Sequence, residues 1–281
     1  MVKLSFLVGS VLLLLLVAHP LIADDSATET PWEKFSFNVG AFMANSNTDL
    51  RFGSGVGVSV NVEEALGMDA ENRVFRMEGY WRFTDNRRHR LGLSWFSFNR
   101  TGTKTVGEAI VIEPPEGDDI TIPIGTEVES FFDLDIFQLD YSYSFIQDNR
   151  LDLAGQFGLY VMPMNFGISA TGLVDEEGTQ NFMAPLPVIG LKLDVLLAPK
   201  WYFRTGSQIF YLKYENFTGS LINLRSAVEY NPWKHVGFGL GIDAMRMGLQ
   251  ADGVGDYPGI DLKGNVQFDY TGVMLYGRVF F

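Results

Sequence analysis

The 281-residue sequence contains no cysteine, which excludes a disulfide framework, a thiolate metal site and a cysteine nucleophile. It also lacks a basic excess. Lys and Arg number 21 against 34 Asp and Glu, a formal net charge of −13, so little is available to neutralise nucleic-acid phosphates. Histidine is scarce, at three residues. After the first twenty or so residues no apolar run approaches a transmembrane helix in length, and no long 3.6-residue period appears. What is present is apolar and aromatic: 47% hydrophobic, 14% aromatic, with 30 glycines, a composition that excludes a disordered chain.

The first segment reads as a leader. Lys3 gives a positive start, Leu4–Val17 is almost wholly apolar, Pro20 breaks the run, and Ala23 precedes Asp24 and Asp25. This is the pattern of a secretory signal peptide over 1–23. A transmembrane anchor is the alternative, but the run is short and acids follow it, where a basic stop would be expected. Cleavage after Ala23 removes Lys3 only, so the mature charge becomes 20 − 34 = −14. Residues 24–33 form a short linker and 34–281 the folded part.

The rest alternates with period two. In 73–83, Phe75, Met77, Gly79, Trp81 and Phe83 oppose Arg76, Glu78, Tyr80 and Arg82. In 137–145, Phe137, Leu139, Tyr141, Tyr143 and Phe145 oppose Gln138, Asp140, Ser142 and Ser144. The stretches 35–43, 151–161, 189–197 and 236–244 repeat the pattern. A soluble, lipocalin-like barrel and a membrane barrel both produce such dyads. The membrane reading accounts for the Gly, Ser, Asp and Arg on the polar face. It also fits bands of about nine to eleven residues and aromatics at the strand ends: Trp81, Phe83, Phe145, Trp201, Tyr230 and Trp233.

Short turns at 84–89, 147–149, 198–200 and 231–235 alternate with long segments at 53–71, 101–129, 172–184 and 251–261, plus a brief connection at 216–220. The long segments hold seventeen acids (four, seven, three and three) and one base, Lys104. The turns, counted as 84–90, 146–150, 198–201 and 231–235, hold six bases and two acids. Acidic loops read first as solvated charge, and second as a divalent-cation bridge to anionic lipopolysaccharide. Four turns on one side imply five loops on the other and hence ten strands, near 34–52, 72–84, 89–101, 128–146, 150–170, 185–198, 200–216, 220–231, 233–250 and 262–281. The expected fold is all-β: an antiparallel up-and-down transmembrane β-barrel of about ten strands, with eight or twelve as alternatives. A hairpin within 53–71 gives twelve. The apolar parity switches between Ile136 and Phe137, which implies either a β-bulge there or an upper half standing above the membrane.

The segment Val273-Met-Leu275-Tyr-Gly-Arg-Val279-Phe-Phe281 resembles the C-terminal assembly signal of bacterial outer-membrane barrels, carried by Val273, Leu275, Val279 and Phe281. The whole mature chain resembles small members of that class. The resemblance implies location in a bacterial outer membrane and, as partners, its lipids, lipopolysaccharide and the barrel-assembly machinery. It implies no functional residue, because such barrels include pores, adhesins, anchors and enzymes.

Catalytic sets are scarce. His19 lies in the leader, and His89 and His235 lie in periplasmic turns. Ten-strand outer-membrane proteases use an external His with several Asp, and no His is predicted at that rim. A Ser–His triad lacks its base for the same reason. Asp133 and Asp135 share one face about 7 Å apart, which reads as lumen solvation before a carboxylate pair. Asp118-Asp119 and Asp175–Glu177 read as solvated loop charge. The glycines of 237–241 relieve crowding in the lumen and form no phosphate loop. The predicted inward charges are Arg76, Glu78, Arg82, Asp140, Asp152, Lys192, Asp194, Arg204, Arg225, Glu229, Asp243 and Arg278, six bases and six acids. Such balance in a narrow barrel reads as an ion-pair network filling the lumen. The expectation is a non-enzymatic outer-membrane protein without cofactor or metal, structural or surface-interacting, with a largely plugged lumen. A narrow ion or solute channel is the first alternative, an outer-leaflet enzyme the second.

Overall fold

The computed structural model describes residues 31–52, 60–107, 110–112, 120–170, 178–214, 217–252 and 263–281. The expected leader 1–23, most of the linker, and the acids of 118–119 and 175–177 lie outside them. Along the chain run β1 (Phe35–Phe52), β2 (Val60–Asn61), helix α1 (Val62–Leu66), β3 (Glu71–Arg82), β4 (His89–Thr105), β5 (Ile110–Ile112), β6 (Ile120–Ile122) and β7 (Glu127–Gln147). Then come β8 (Leu151–Ala170), β9 (Gly178–Ala198), β10 (Trp201–Tyr214), β11 (Phe217–Tyr230), β12 (Val236–Asp252) and β13 (Lys263–Phe280).

Ten strands pair in sequence order, and β13 returns to pair antiparallel with β1 from Phe280 opposite Ser36 to Gly264 opposite Phe52. That pairing closes the sheet and removes both edges, which a bilayer would leave unsatisfied. Among the described residues of the 53–71 segment none adds a stave. β2 pairs with β1 over two residues only, and β5–β6 form a separate hairpin. The strand number is therefore ten.

Polarity reverses along the barrel. In the half that holds Phe35 and Phe280, the outward residues Phe37, Leu93, Leu139, Phe157, Leu240 and Leu275 are exposed and the inward ones charged. In the other half the inward residues are apolar: Phe42, Phe96, Phe98, Phe132, Leu134, Met162, Met164, Met247 and Phe268 are all 1% exposed or less. Outward there stand Asn45, Asn99, Asp133, Asp135, Asn165, Arg246 and Thr271. A lipid-facing barrel is apolar outside, and a water-facing one is apolar inside, so this chain is one kind below and the other above. The switch at Ile136 and Phe137 is this reversal. The β7–β8 register keeps one offset on both sides of it, Leu134 opposite Met164 and Phe137 opposite Val161, with Asp135 and Ile136 unpaired to β8, and the register shift falls at Ser144–Ile146 instead. Asp133 and Asp135 consequently face out above the belt, where Asp135 accepts from the Trp95 indole at 3.3 Å, and the expectation that they line the lumen is corrected.

Two ladders stop early. β9 and β10 pair only to Ile189 opposite Ile209, below Pro185 and Pro187, which remove two amide donors from one edge of β9. β3 and β4 pair only from Arg82 opposite Arg90 to Arg76 opposite Phe96. Above that point α1 packs inside the barrel against β1, β4 and β7. Asn61 caps it by accepting from the Glu64 amide at 2.9 Å, and Gly67, at φ 71°, ends it. Val62 and Leu66 are buried. A Cβ on Gly102 would stand 2.5 Å from the Leu66 carbonyl oxygen, so glycine lets α1 seat against β4.

Candidate functional site

The lumen of the lower half is the densest charged region. Period-two parity aims its side chains inward from nine strands, and burial forces them to pair. Arg76 Nη1 lies 2.6 Å from Asp243 Oδ2 and its Nε 3.5 Å from Glu78. Arg225 pairs with both Glu78 oxygens. Arg82 contacts Asp152 at 2.5 Å and Asp194 at 3.3 Å. Asp194 also accepts from Arg90 and Arg204, each at 2.9 Å. Arg204 reaches Glu229 at 2.6 Å, Arg278 joins the same carboxylate, and Lys192 pairs with Asp140.

All twelve inward charges named from the sequence stand in this network, and three further members were not named. Arg90, 6% exposed, stands at the turn end of the expected strand 89–101, and the parity of β4 points it inward opposite Ser142. Tyr80 had the right parity but no charge to draw attention. Glu33 precedes β1 and carries no periodic signal. It accepts from Tyr80, Arg204 and Arg278. Burial alone would raise its carboxyl, but Arg204 and Arg278, with the Tyr80 hydroxyl, hold it well below the usual glutamate range. Trp32 is fully buried beside it. Its indole donates to the Asp148 carbonyl at 2.7 Å, Arg87 donates to the Trp32 carbonyl, and Tyr202 donates to Pro31 O at 3.3 Å. Residues 31–33 thus stopper the lower mouth.

Between stopper and apolar core lies a cavity of about 150 Å³ lined by residues including Gln138, Gln156, Lys192, Gln208 and Arg225. Gln156 Oε1, Gln208 Nε2 and Ser94 Oγ have no protein partner, and a polar space of that size suits water. Above it Phe42, Phe96, Phe98, Phe268 and Tyr270 pack with ring centroids 5.3–6.1 Å apart. Nearer the top, Arg100 pairs with Glu63 of α1 at 2.5 Å.

Elsewhere, His89 Nδ1 sits 2.7 Å from the Tyr141 hydroxyl, and His235 Nδ1 3.0 Å from the Phe280 carbonyl, both at the lower rim. Among the described residues no group of three or more His, Asp or Glu could hold a metal ion. Val273, Leu275, Val279 and Phe281 are exposed on the outer face. Trp81, Phe83, Phe145, Trp201, Tyr230 and Trp233 ring the lower rim, 38–60% exposed.

No protein-family model and no curated protein matches the chain. Solved structures do. The outer membrane protease OmpT from Escherichia coli aligns over 92% of this chain and 100% of its own, at 9% identity and a TM-score of 0.51. The P. putida toluene transporter TodX aligns over 92% of this chain and 90% of its own, at 9% identity and 0.35. The attachment invasion locus protein Ail of Yersinia pestis aligns over 89% and 99%, at 10% and 0.33. The OmpT likeness is one of fold. With the apolar belt, the aromatic rim and the closed ten-strand sheet, this chain is a β-barrel of the bacterial outer membrane.

Proposed function

We propose that the protein is a non-enzymatic outer-membrane barrel with a closed lumen, acting as a structural or surface-interaction element. One observation carries the reading: the lumen is filled twice, by paired charges below and by an aromatic–aliphatic core above. The stopper at Glu33 and the seating of α1 support it, as does the position of His89 and His235 away from the upper rim, where an outer-leaflet enzyme would work. The cavity of about 150 Å³ is the feature that favours a narrow channel instead, but Phe96 and Phe98 stand across its upward path. Planar-bilayer recording of the purified barrel tests this. The expected result is a silent bilayer, and stable single-channel steps would overturn the closed-lumen reading.

A further inference from the structure

The wall between β3 and β4 is interrupted. β3 keeps its pairing to β1 as far as Glu71 opposite Asn45, and β4 keeps its pairing to β7 as far as Thr105 opposite Glu127. Between them no ladder exists above Arg76 and Phe96, so the alternate amides and carbonyls of 71–75 and 97–101 have no strand opposite them. A cavity of about 460 Å³ fills the interval. Its lintel is the chain leaving α1: the Ser46 amide donates to Ala70 O at 2.8 Å, and Asn72 Nδ2 to Ser46 Oγ at 2.9 Å. The opening is thus a built window, spanned above by the chain that follows α1.

Its height and lining identify the occupant. Phe75, 54% exposed, and Trp95 form the sill, at the upper margin of the lipid-facing belt. Above the sill stand Asn72, Arg73, Ser97 and Asn99, with Asp69 and Glu71. An acyl chain would leave the two backbone edges unsatisfied. A bare phosphate is opposed by the two carboxylates, and a bare cation by Arg73, for which no ion pair forms among the described residues. Mixed donors and acceptors beside an aromatic ring match a polyhydroxylated ligand. We infer that this window binds the sugar portion of an outer-leaflet glycolipid, whose acyl chains then lie on the belt over Phe75. The inference rests on the surface-interaction reading above, and it is tested without reference to conductance.

The folded barrel in detergent is immobilised and titrated with three probes: rough lipopolysaccharide bearing core sugars, lipid A alone, and the lipid-free core oligosaccharide. The expected result is that rough lipopolysaccharide binds roughly tenfold or more tightly than either other probe. Asn99→Leu and the window-filling Ser97→Trp should each abolish that margin while heat-modified gel mobility shows both variants folded. Lipid A binding as tightly as rough lipopolysaccharide would assign recognition to chains and phosphates and overturn the inference. Oligosaccharide binding equally well would make the ligand a soluble sugar and overturn the glycolipid assignment. A margin that survives in folded Ser97→Trp places any sugar site elsewhere and overturns it too.

Discussion

Arg76 and Asp243 are 167 positions apart in sequence, and their side chains meet at 2.6 Å inside the barrel. Asp243 also accepts from Asn223 at 2.6 Å and Tyr270 at 3.2 Å, and Arg76 lies 4.5 Å above the Phe96 ring. The pair sits where the charged lumen meets the apolar core. Removing one partner strands the other charge, at a cost of about 3–5 kcal/mol. Arg76→Ala is expected to lower the denaturant midpoint of the barrel in lipid vesicles accordingly. Replacing both, as Arg76→Met with Asp243→Leu, should recover most of that loss, since apolar packing substitutes for a buried pair. A double variant as weak as the single one would show that the network acts through more than charge compensation.

The lower stopper should respond to pH in a defined direction. Glu33 is held below its ordinary range by Arg204 and Arg278 despite burial. A depressed carboxyl stabilises the docked state fully above its unfolded pKa, about 4.3. That contribution falls as pH drops from there toward the folded pKa. Docking, followed by limited proteolysis of the 31–34 segment, should therefore be flat from neutrality to about pH 5 and weaken only in stronger acid. Glu33→Gln should remove that acid-dependent part and leave Arg278 short of one carboxylate, so cleavage rises at all pH values. Cleavage that changes between pH 8 and 6 would contradict the assignment.

Most of the architecture is legible in the sequence because each strand keeps one parity through the belt and above it, the bulges of β7 and β10 falling at their lower ends. The inward set from Arg76 to Arg278 follows from counting by twos. Three things escaped for physical reasons. Asp133 and Asp135 read as inward because polar side chains face the lumen of a membrane strand, a rule that inverts once a strand leaves the bilayer. Glu33 lies before the first periodic residue, and only the tertiary position of Arg204 and Arg278 reveals its role. The β3–β4 window depends on where pairing stops, and the chain that spans it is placed by a contact between distant segments, the Ser46 amide on the Ala70 carbonyl.

Phe281 tests closure. Its amide donates to Phe35 O at 2.9 Å, its carbonyl accepts from the Lys34 and Phe35 amides, and its ring stacks on His235 with centroids 4.7 Å apart. Deleting it removes these backbone bonds at the β1–β13 seam and one exposed ring of the lower rim. If Val273, Leu275, Val279 and Phe281 also form an assembly signal, the loss in cells exceeds the loss in vitro. The expected outcome is little heat-modifiable protein in the outer membrane, while the same variant still refolds into detergent. Normal amounts in cells would leave Phe281 as a lipid-facing side chain only.

The reversal of polarity fixes where the membrane ends, and one strand can locate that boundary. On β7 the outward residues run Tyr143, Tyr141, Leu139, Phe137, then Asp135 and Asp133. Leu139, 45% exposed, should lie in hydrocarbon, and Asp133 in water. An arginine facing lipid costs about 2–4 kcal/mol at the midplane and about 0–1 near an interface. Leu139→Arg is therefore expected to destabilise the barrel in vesicles by roughly 2 kcal/mol or more. Asp133→Arg, six residues higher on the same face, should change stability within about 0.5 kcal/mol, the usual range for a solvated surface site. In detergent, where a micelle adapts around the charge, the difference should shrink. Equal costs at both positions in vesicles would mean that lipid covers the upper half as well. The apolar core around Phe98 and Phe132 would then need another explanation than a barrel rising out of the bilayer.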